Sequence, residues 1–311
     1  ARRILDRLDD GLQQDDADSS LGRMRRASQR TSGGRGPNTK SRRVFSNGDP
    51  SAMNEAVIET KAAIEDGVLE SIVVESDGVM VARGDLAVEA GAEIVPIVQR
   101  EIIGLCQKHG RISIVATQMM ASMVDAPEPT RAEVSDVANA VIQGADTVML
   151  SDETANGQYP LETIAAMKRV ILYTQEHAPV APITDIITGT KTHRDAISHA
   201  AVKLAQQLDA RAIVAETKSG ATAESIAACR PNLPIISVTS EPRSAQQLAL
   251  SYANKSFLRP DGEKAGLEIA KELKGNGFFA PNSDNITVVI VSGRQPGLIG
   301  GTDTIRVRVL E

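Results

Sequence analysis

Residues 78–118 read GVMVARGDLAVEAGAEIVPIVQREIIGLCQKHGRISIVATQ. Two short β-rich runs, Gly78–Ala82 (GVMVA) and Ile112–Ala116 (ISIVA), bracket a stretch in which Ile94, Val98, Ile102 and Leu105 recur at spacings of four, four and three. That period puts the four side chains on one helix face, and Gly110 stands where such a helix would end. A third run, Thr147–Leu150 (TVML), follows a second helical stretch, and each run passes straight into polar residues. Strands alternating with helices of this length imply parallel β/α units, because a parallel pair needs a long crossover. Ligands of such units sit beyond the carboxyl ends of the strands, so the polar residues after each run become the site candidates.

A second array follows. Helical segments at 196–208, 221–229, 243–250 and 263–274 alternate with the runs Ala212–Ala215, Ile235–Val238 and Ile286–Val291. The spacing suits an open, doubly wound sheet of about 115 residues. Residues 178–195, APVAPITDIITGTKTHRD, have two prolines and no clear period and are read as the linker. The expected division is therefore a segment over 1–55, a β/α-barrel part over 56–180 and a second α/β domain over 181–311.

The first segment carries an acidic block (Asp6, Asp9, Asp10, Asp15, Asp16, Asp18) and then a basic one, residues 23–43, with eight Arg or Lys and no acid. It holds too little apolar surface to offset the entropy of ordering it, so disorder is the expectation. Without interleaved aromatics the basic block is not read as a nucleic-acid arm. The whole chain of 311 residues has net charge −6, and setting aside those eight positive charges leaves −14, which offers no broad basic face to nucleic acid or an anionic membrane. A composition of 41% hydrophobic and 24% charged residues, with no run of about 18 apolar residues, excludes a helical membrane span and leaves enough apolar mass for proper cores. Cys106 and Cys229 match no metal-ligand spacing and are expected to be reduced thiols of a cytoplasmic protein.

The strand ends offer Glu59, then Arg83, Gly84 and Asp85, then Thr117 and Gln118, then Ser151 to Thr154. Carboxylates at the mouths of successive strands, Glu59 and Asp85, suit a hard divalent cation such as magnesium, which takes a few carboxylate oxygens plus water and substrate oxygens. Ordinary loop acids and helix caps would look the same. Gly84 would let backbone N–H groups approach an anion closely. Thr117 could hydrogen-bond a substrate or cap the next helix. The loop Thr217, Lys218, Ser219, Gly220, Ala221, Thr222 combines phosphate donors with a glycine at a helix N-terminus. The four histidines do not cluster at ligand spacing, and neither a G-x-S-x-G elbow nor a G-x-G-x-x-G fingerprint is present, which removes the usual signals of a hydrolase triad or a nicotinamide enzyme.

The strings GVMVARGDLAVEAG, IVATQMMASM and PEPTRAEVSDVANAVIQGADTVMLSDETANGQYPLET, with ETKSGATA, RPNLPIISVT and GGTDTIRVRVLE further on, closely resemble the pyruvate kinase family. The resemblance runs from about Ile58 to Glu311. It implies the last three to four strands of a TIM-type (β/α)₈ barrel followed by a doubly wound α/β C-terminal domain. It also implies transfer of the phosphoryl group of phosphoenolpyruvate to ADP, giving pyruvate and ATP, with Mg²⁺ (or Mn²⁺) and K⁺. Carried over, Glu59 and Asp85 correspond to the metal carboxylates, and Arg83, Gly84 and Asp85 to the loop that holds the substrate carboxylate. Thr117 matches the substrate-contacting threonine, so that Asp85 and Thr117 are the catalytic candidates. Thr217, Lys218, Ser219, Gly220 and Thr222 match the loop that holds a phosphorylated allosteric effector. The family also implies a homotetramer in the cytoplasm.

Two departures stand beside these matches. The family's metal glutamate follows a lysine, whereas this chain reads Val57-Ile58-Glu59, with Lys61 two residues beyond. Loss of one such charged stabiliser costs on the order of 10²–10³ in rate. A (β/α)₈ barrel takes about 250 residues, yet about 120 here resemble it. The half with the potassium site and the lid domain has no counterpart, so a truncation or a reading-frame error upstream of about residue 57 is expected, with activity impaired. The alternative is a non-catalytic module that binds a phosphorylated effector or pairs with other subunits.

Overall fold

The computed structural model describes residues 67–178, 192–279, 285–293 and 301–310. Helix α1 (Leu69–Glu75) leads into β1 (Gly78–Ala82), α2 (Arg83–Ala90), α3 (Val95–His109) and β2 (Ile112–Ala116). After a 3₁₀ turn at Ala121–Val124 come α4 (Arg131–Ile142), β3 (Thr147–Val148), α5 (Asp152–Ala155) and α6 (Pro160–His177). The three strands form one parallel sheet in the order β1-β2-β3, in register from Gly78 opposite Ile112 to Ala82 opposite Ala116.

The helix boundaries follow from local chemistry. Helix α3 starts with a proline in its first turn, where the missing N–H costs nothing, and stops at Gly110, whose φ of 63° is a left-handed cap. Lys108 and His109 in its last turn suit the negative end of the helix dipole. Of the apolar stripe read from the sequence, Val98 and Ile102 are buried, and Ile94 and Leu105 pack at the edge of the same cluster with Leu69, Val73, Val79 and Val81. Helix α4 opens with a full capping box. Thr130 accepts from the Glu133 amide at 3.3 Å, and the Glu133 carboxylate accepts from the Thr130 amide at 2.8 Å.

The second half begins with α7 (His193–Gln207) and continues β4 (Ala212–Glu216), α8 (Ala221–Ala228), β5 (Ile235–Thr239) and α9 (Pro242–Leu248). It ends β6 (Asn254–Leu258), α10 (Ala265–Gly275), β7 (Ile286–Gly293) and β8 (Thr302–Leu310). The strand order is β6-β5-β4-β7-β8, parallel except for the β7–β8 pair. The chain steps from β4 to β5 and β6, then returns past β4 to β7, so the switch of direction lies beside β4. Every residue of β5 and four of five in β4 are buried, as a parallel sheet covered on both faces requires. Helices α7, α8 and α9 pack on one face around Ile213, Ala215, Ile235 and Val291, while α10 covers the other around Val214, Ile236, Val288 and Ile290. Each fully buried Ile or Val contributes about 1.5–3 kcal/mol.

Strands β6 and β8 escaped the sequence reading. In β6 the residues are NKSFL, half-buried throughout except Leu258, and in β8 TIRVRV alternates apolar and cationic residues. An edge strand is solvated on one side, so its polar content hides it. The third run is also shorter than expected, with pairing confined to Thr147–Val148.

A buried joint connects the two sheets. Arg230, which follows α8 with a left-handed φ of 49°, donates from Nε to the Gly144 carbonyl (2.9 Å), from Nη1 to Ala227 O (2.7 Å) and from Nη2 to the Asp146 carboxylate (2.7 Å). The two side chains are only 1% and 4% exposed. Asp146 also accepts from the Ser113 amide and hydroxyl on β2 and from the Tyr252 amide, and the Tyr252 ring lies 4.8 Å from the guanidinium. Every charge is therefore paired and hydrogen-bonded, as burial demands.

Candidate functional site at the strand mouths

The carboxyl ends of β1 and β2 are side by side, and the loops that leave them touch. Gly84, in the first turn of α2, donates its amide to Thr117 Oγ1 at 3.1 Å. Thr117 thus caps no following helix. Its hydroxyl accepts from Gly84, which leaves its own proton free for a ligand oxygen. Thr117 and Gln118 are both left-handed, with φ of 66° and 52°. For a β-branched residue this is a genuine outlier that costs about 1–3 kcal/mol, and such strain collects at functional sites.

Arg83 is buried and points inward. Its Nε donates to the carbonyls of Ala116 and Thr117 at 3.2 Å each, Nη2 donates to Thr117 O, and Nη1 pairs with Asp136 on α4. The guanidinium is engaged by the protein itself at Nε, Nη1 and Nη2, so a ligand would meet the backbone of the Arg83-Gly84 turn. Asp85, next in the turn, is exposed and makes no hydrogen bond or ion pair among the described residues. One free carboxylate beside backbone amides fits half of a magnesium site, whose remaining ligands are water and substrate oxygens. Among the described residues no group of three or more His, Cys, Asp or Glu gathers at metal-ligand distance. Glu59, Val57 and Lys61 lie outside the described residues.

A buried acid, Glu153, and a half-buried one, Glu133, shape the same rim. Glu153, 2% exposed, accepts from the Met120 amide (3.1 Å) and the Ser151 amide (2.7 Å), tying the loop after β2 to the loop after β3. Burial alone would raise the Glu133 carboxyl, but hydrogen bonds from Ser122 and Thr130 hold it below the ordinary glutamate range. Asp136 was missed by sequence reasoning, although it lies within the PEPTRAEVSD string. A lone acid in the middle of a helix carries no local signal of a partner 53 residues earlier.

The second cluster lies beyond the carboxyl ends of β4, β5 and β7, at the switch of strand direction. A cavity of about 390 Å³ is lined by Thr217, Lys218, Ser219 and Thr222 on one side and by Arg259 and Arg306 on the other. Gly220 is the left-handed N-cap of α8, φ 89°, and its amide donates to Thr217 Oγ1 at 3.1 Å. Thr222 and Thr302 share a hydroxyl–hydroxyl bond of 2.7 Å, which pins the start of α8 to the start of β8. Asp261, with a weaker pull from Glu241, raises the Lys218 ammonium, whose Nζ is 3.3 Å from Asp261. On the opposite wall burial raises the Glu216 carboxyl, opposed by the Gly266 amide (2.8 Å) and Arg306 (3.1 Å). Gly266 is closely packed here, since a Cβ would come within 2.7 Å of Glu216 Oε1 and 3.0 Å of Val214. The two cysteines are free and buried, with Cys106 pushed up to about 12 and Cys229 to about 11, so both are inert thiols at neutral pH.

The geometry defines a class: consecutive β/α units with ligand groups at the strand mouths, joined through a buried ion pair to a doubly wound sheet with its own cavity. Residues 39–164 match the family described as pyruvate kinase, barrel domain, and residues 195–308 the pyruvate kinase alpha/beta domain. The pyruvate kinase of Mycobacterium tuberculosis is 42% identical over 262 residues, covering 81% of this chain and 52% of the relative. One from Agrobacterium vitis is 42% identical over 81% of this chain and 53% of its own length, and pyruvate kinase 2 of Synechocystis is 41% identical over 82% and 43%. The chain belongs to the pyruvate kinase family. It spans about half the length of the curated relatives it matches.

Proposed function

We propose that this chain carries the substrate-carboxylate and metal-binding end of a pyruvate kinase, together with its effector-binding domain. The reaction moves the phosphoryl group of phosphoenolpyruvate from the enol oxygen to a terminal oxygen of ADP. ATP leaves, and the enolate takes a proton to become pyruvate. The observation that carries the reading is the Gly84 amide held on the Thr117 hydroxyl at the joined mouths of β1 and β2.

In this reading the turn at Arg83, Gly84 and Asp85 lies against the substrate carboxylate, with the Gly84 amide held by Thr117 Oγ1, and Thr117 donates its hydroxyl proton to a substrate oxygen. Asp85, with Glu59, would hold Mg²⁺ or Mn²⁺, which when bound neutralises charge on the enolate and phosphoryl oxygens. K⁺ belongs to the family's chemistry through a barrel half that this chain does not match. The loop Thr217 to Thr222 would hold a phosphorylated effector, with Lys218, Ser219 and the α8 N-terminus supplying its donors. The division at 56–180 and 181–311 is supported by family matches that end at 164 and resume at 195. The barrel match begins at 39, ahead of Ile58, where the resemblance read from the sequence starts. A homotetramer working in the cytoplasm, with neither membrane nor nucleic acid as partner, completes the reading. No helix among the described residues is long and apolar enough to cross a membrane.

The test is pyruvate formation by the full chain from phosphoenolpyruvate and ADP, with magnesium and potassium, beside Glu59→Ala. The reading expects slow turnover, because Val57 stands where the family has lysine, and at least a tenfold further loss in the control. Equal rates in both would remove the metal assignment. Val57 also favours a second reading, a non-catalytic module that binds a phosphorylated effector or pairs with other subunits. Calorimetry of the full chain with AMP and sugar phosphates separates them, since binding without any turnover supports the module alone.

A further inference from the structure

The chemistry proposed above makes no use of Asp136, yet this side chain ends the chain of contacts that shapes the Gly84–Thr117 turn. We propose that Asp136 is a positioning residue for the Thr117 hydroxyl, acting through Arg83; the inference rests on reading that turn as the substrate end of the site.

The guanidinium of Arg83 is planar, so fixing one edge fixes the direction of the other. Asp136 holds Nη1. The opposite edge then meets the backbone, with Nε between the carbonyls of Ala116 and Thr117 at 3.2 Å each and Nη2 on Thr117 O. The Thr117 carbonyl belongs to the peptide between Thr117 and Gln118, the two left-handed residues. Pinning that oxygen sets the rotation about the peptide on both sides and so aims Thr117 Oγ1 at the Gly84 amide. Arg83 and Gly84 are neighbours in sequence. One two-residue turn thus grips Thr117 twice, by its carbonyl through the Arg83 side chain and by its hydroxyl through the Gly84 backbone.

A purely structural role fits less well. The Arg83 side chain is 9% exposed and keeps its backbone acceptors when Asp136 is changed, while the Asp136 side chain is 37% exposed, so water can take the place of its carboxylate at the open edge of the guanidinium. The buried Arg230–Asp146 pair, at 1% and 4%, is the structural counterpart. Removing the Asp136 charge leaves Arg83 enclosed with its backbone acceptors but frees the far end of the guanidinium. The turn should loosen while the fold stands.

The experiment uses the full chain, with Asp136→Asn and Asp136→Glu beside the unaltered protein. Three quantities are read: hydrogen exchange of the Gly84 amide by NMR, the urea midpoint, and kcat with KM for phosphoenolpyruvate. The proposal expects Gly84 exchange at least tenfold faster in Asp136→Asn, with β1 and β2 amides and the urea midpoint unchanged, and partial recovery in Asp136→Glu. Turnover should fall about tenfold to a hundredfold with KM within about threefold, the mark of lost alignment rather than lost binding. Unchanged Gly84 exchange overturns the proposal. So does faster exchange spread evenly through β1 and β2 with a lower midpoint, which would assign the pair to the fold. If the unaltered chain forms no pyruvate, the proposed activity fails, while the Gly84 comparison still decides the positioning claim.

Discussion

The two sheets solve the same packing problem to different degrees. The second has five strands with helices on both faces, and its central strands β4, β5 and β7 are buried almost throughout. The first has three strands among the described residues, with β1 and β3 at its edges, and its β1 and β2 alternate buried and half-buried positions. Strained left-handed backbone and the exposed Asp85 carboxylate lie at the mouths of the smaller sheet, whereas the larger carries a cavity framed by paired charges. Strain of that kind persists only where neighbours over-determine it, and here the larger sheet braces the smaller through Arg230. Asp146 receives that arginine and, by the Ser113 bonds, hands the restraint to β2, the strand that leads into Thr117.

The sharpest way to break this comparison is Arg230→Ala. It strands a buried carboxylate and should cost about 3–5 kcal/mol. The Tyr252 ring beside the guanidinium is a built-in fluorescent reporter of the loss. With Tyr159 and Tyr173 changed to Phe, so that Tyr252 is the one tyrosine left in a chain without tryptophan, urea unfolding followed by its emission and by circular dichroism should give transitions that separate in the variant and coincide in the parent. Coincident transitions in both would mean the halves do not depend on this joint.

The next effect falls on the smaller sheet alone. Thr117→Ala removes the hydroxyl that Gly84 donates to and should lower pyruvate formation about a hundredfold, with the urea midpoint moved little because a strained residue is also relieved. A rate within twofold of the parent would exclude Thr117 from substrate contact. On the larger sheet, Gly266→Ala brings a Cβ to 2.7 Å from Glu216 and 3.0 Å from Val214, an overpacking expected to cost about 1–3 kcal/mol. Thermal unfolding should show that loss, and an unchanged melting temperature would show that α10 can shift freely.

The smallest effect separates the halves by pH. In the first, the Glu133 carboxyl is held low, so its contribution is present above the ordinary glutamate pKa and fades as pH falls through its lowered value. In the second, burial raises Glu216 and Glu224, the latter opposed by Arg194 and Arg111 and reinforced by Asp77 and Asp146. Their contribution is full below the ordinary glutamate pKa and is lost as pH rises through the raised value. Mild acidification from neutral pH should therefore favour the second half, and stronger acidification should weaken the first. Amide exchange measured in both halves across that range would show it, and parallel changes in the two would count against these assignments.

The sequence made the parallel β/α plan legible because buried parallel strands are continuous apolar runs and α3 keeps a clean period from Ile94 to Leu105. The edge strands β6 and β8 stayed hidden because their residues answer to solvent as much as to the sheet. The site was legible only in part. Gly84, Asp85 and Thr117 follow strands and carry suitable groups, so position and chemistry pointed the same way. Asp136 and Asp146 act through partners far along the chain, and no local pattern announces an ion pair that exists only once helices have packed. Arg83 shows the converse, a cation that looked like a ligand group from its place after β1 and is claimed by the protein's own carbonyls.

The central claim is that substrate is met by the smaller sheet and the effector by the larger. The most direct test is an amide NMR map of the full chain titrated with phosphoenolpyruvate and magnesium. The account predicts shifts concentrated at Gly84, Asp85 and Thr117, with Thr217 to Thr222 unmoved until a phosphorylated effector is added. Shifts confined to the Thr217 to Thr222 loop, or none at the mouths of β1 and β2, would contradict it.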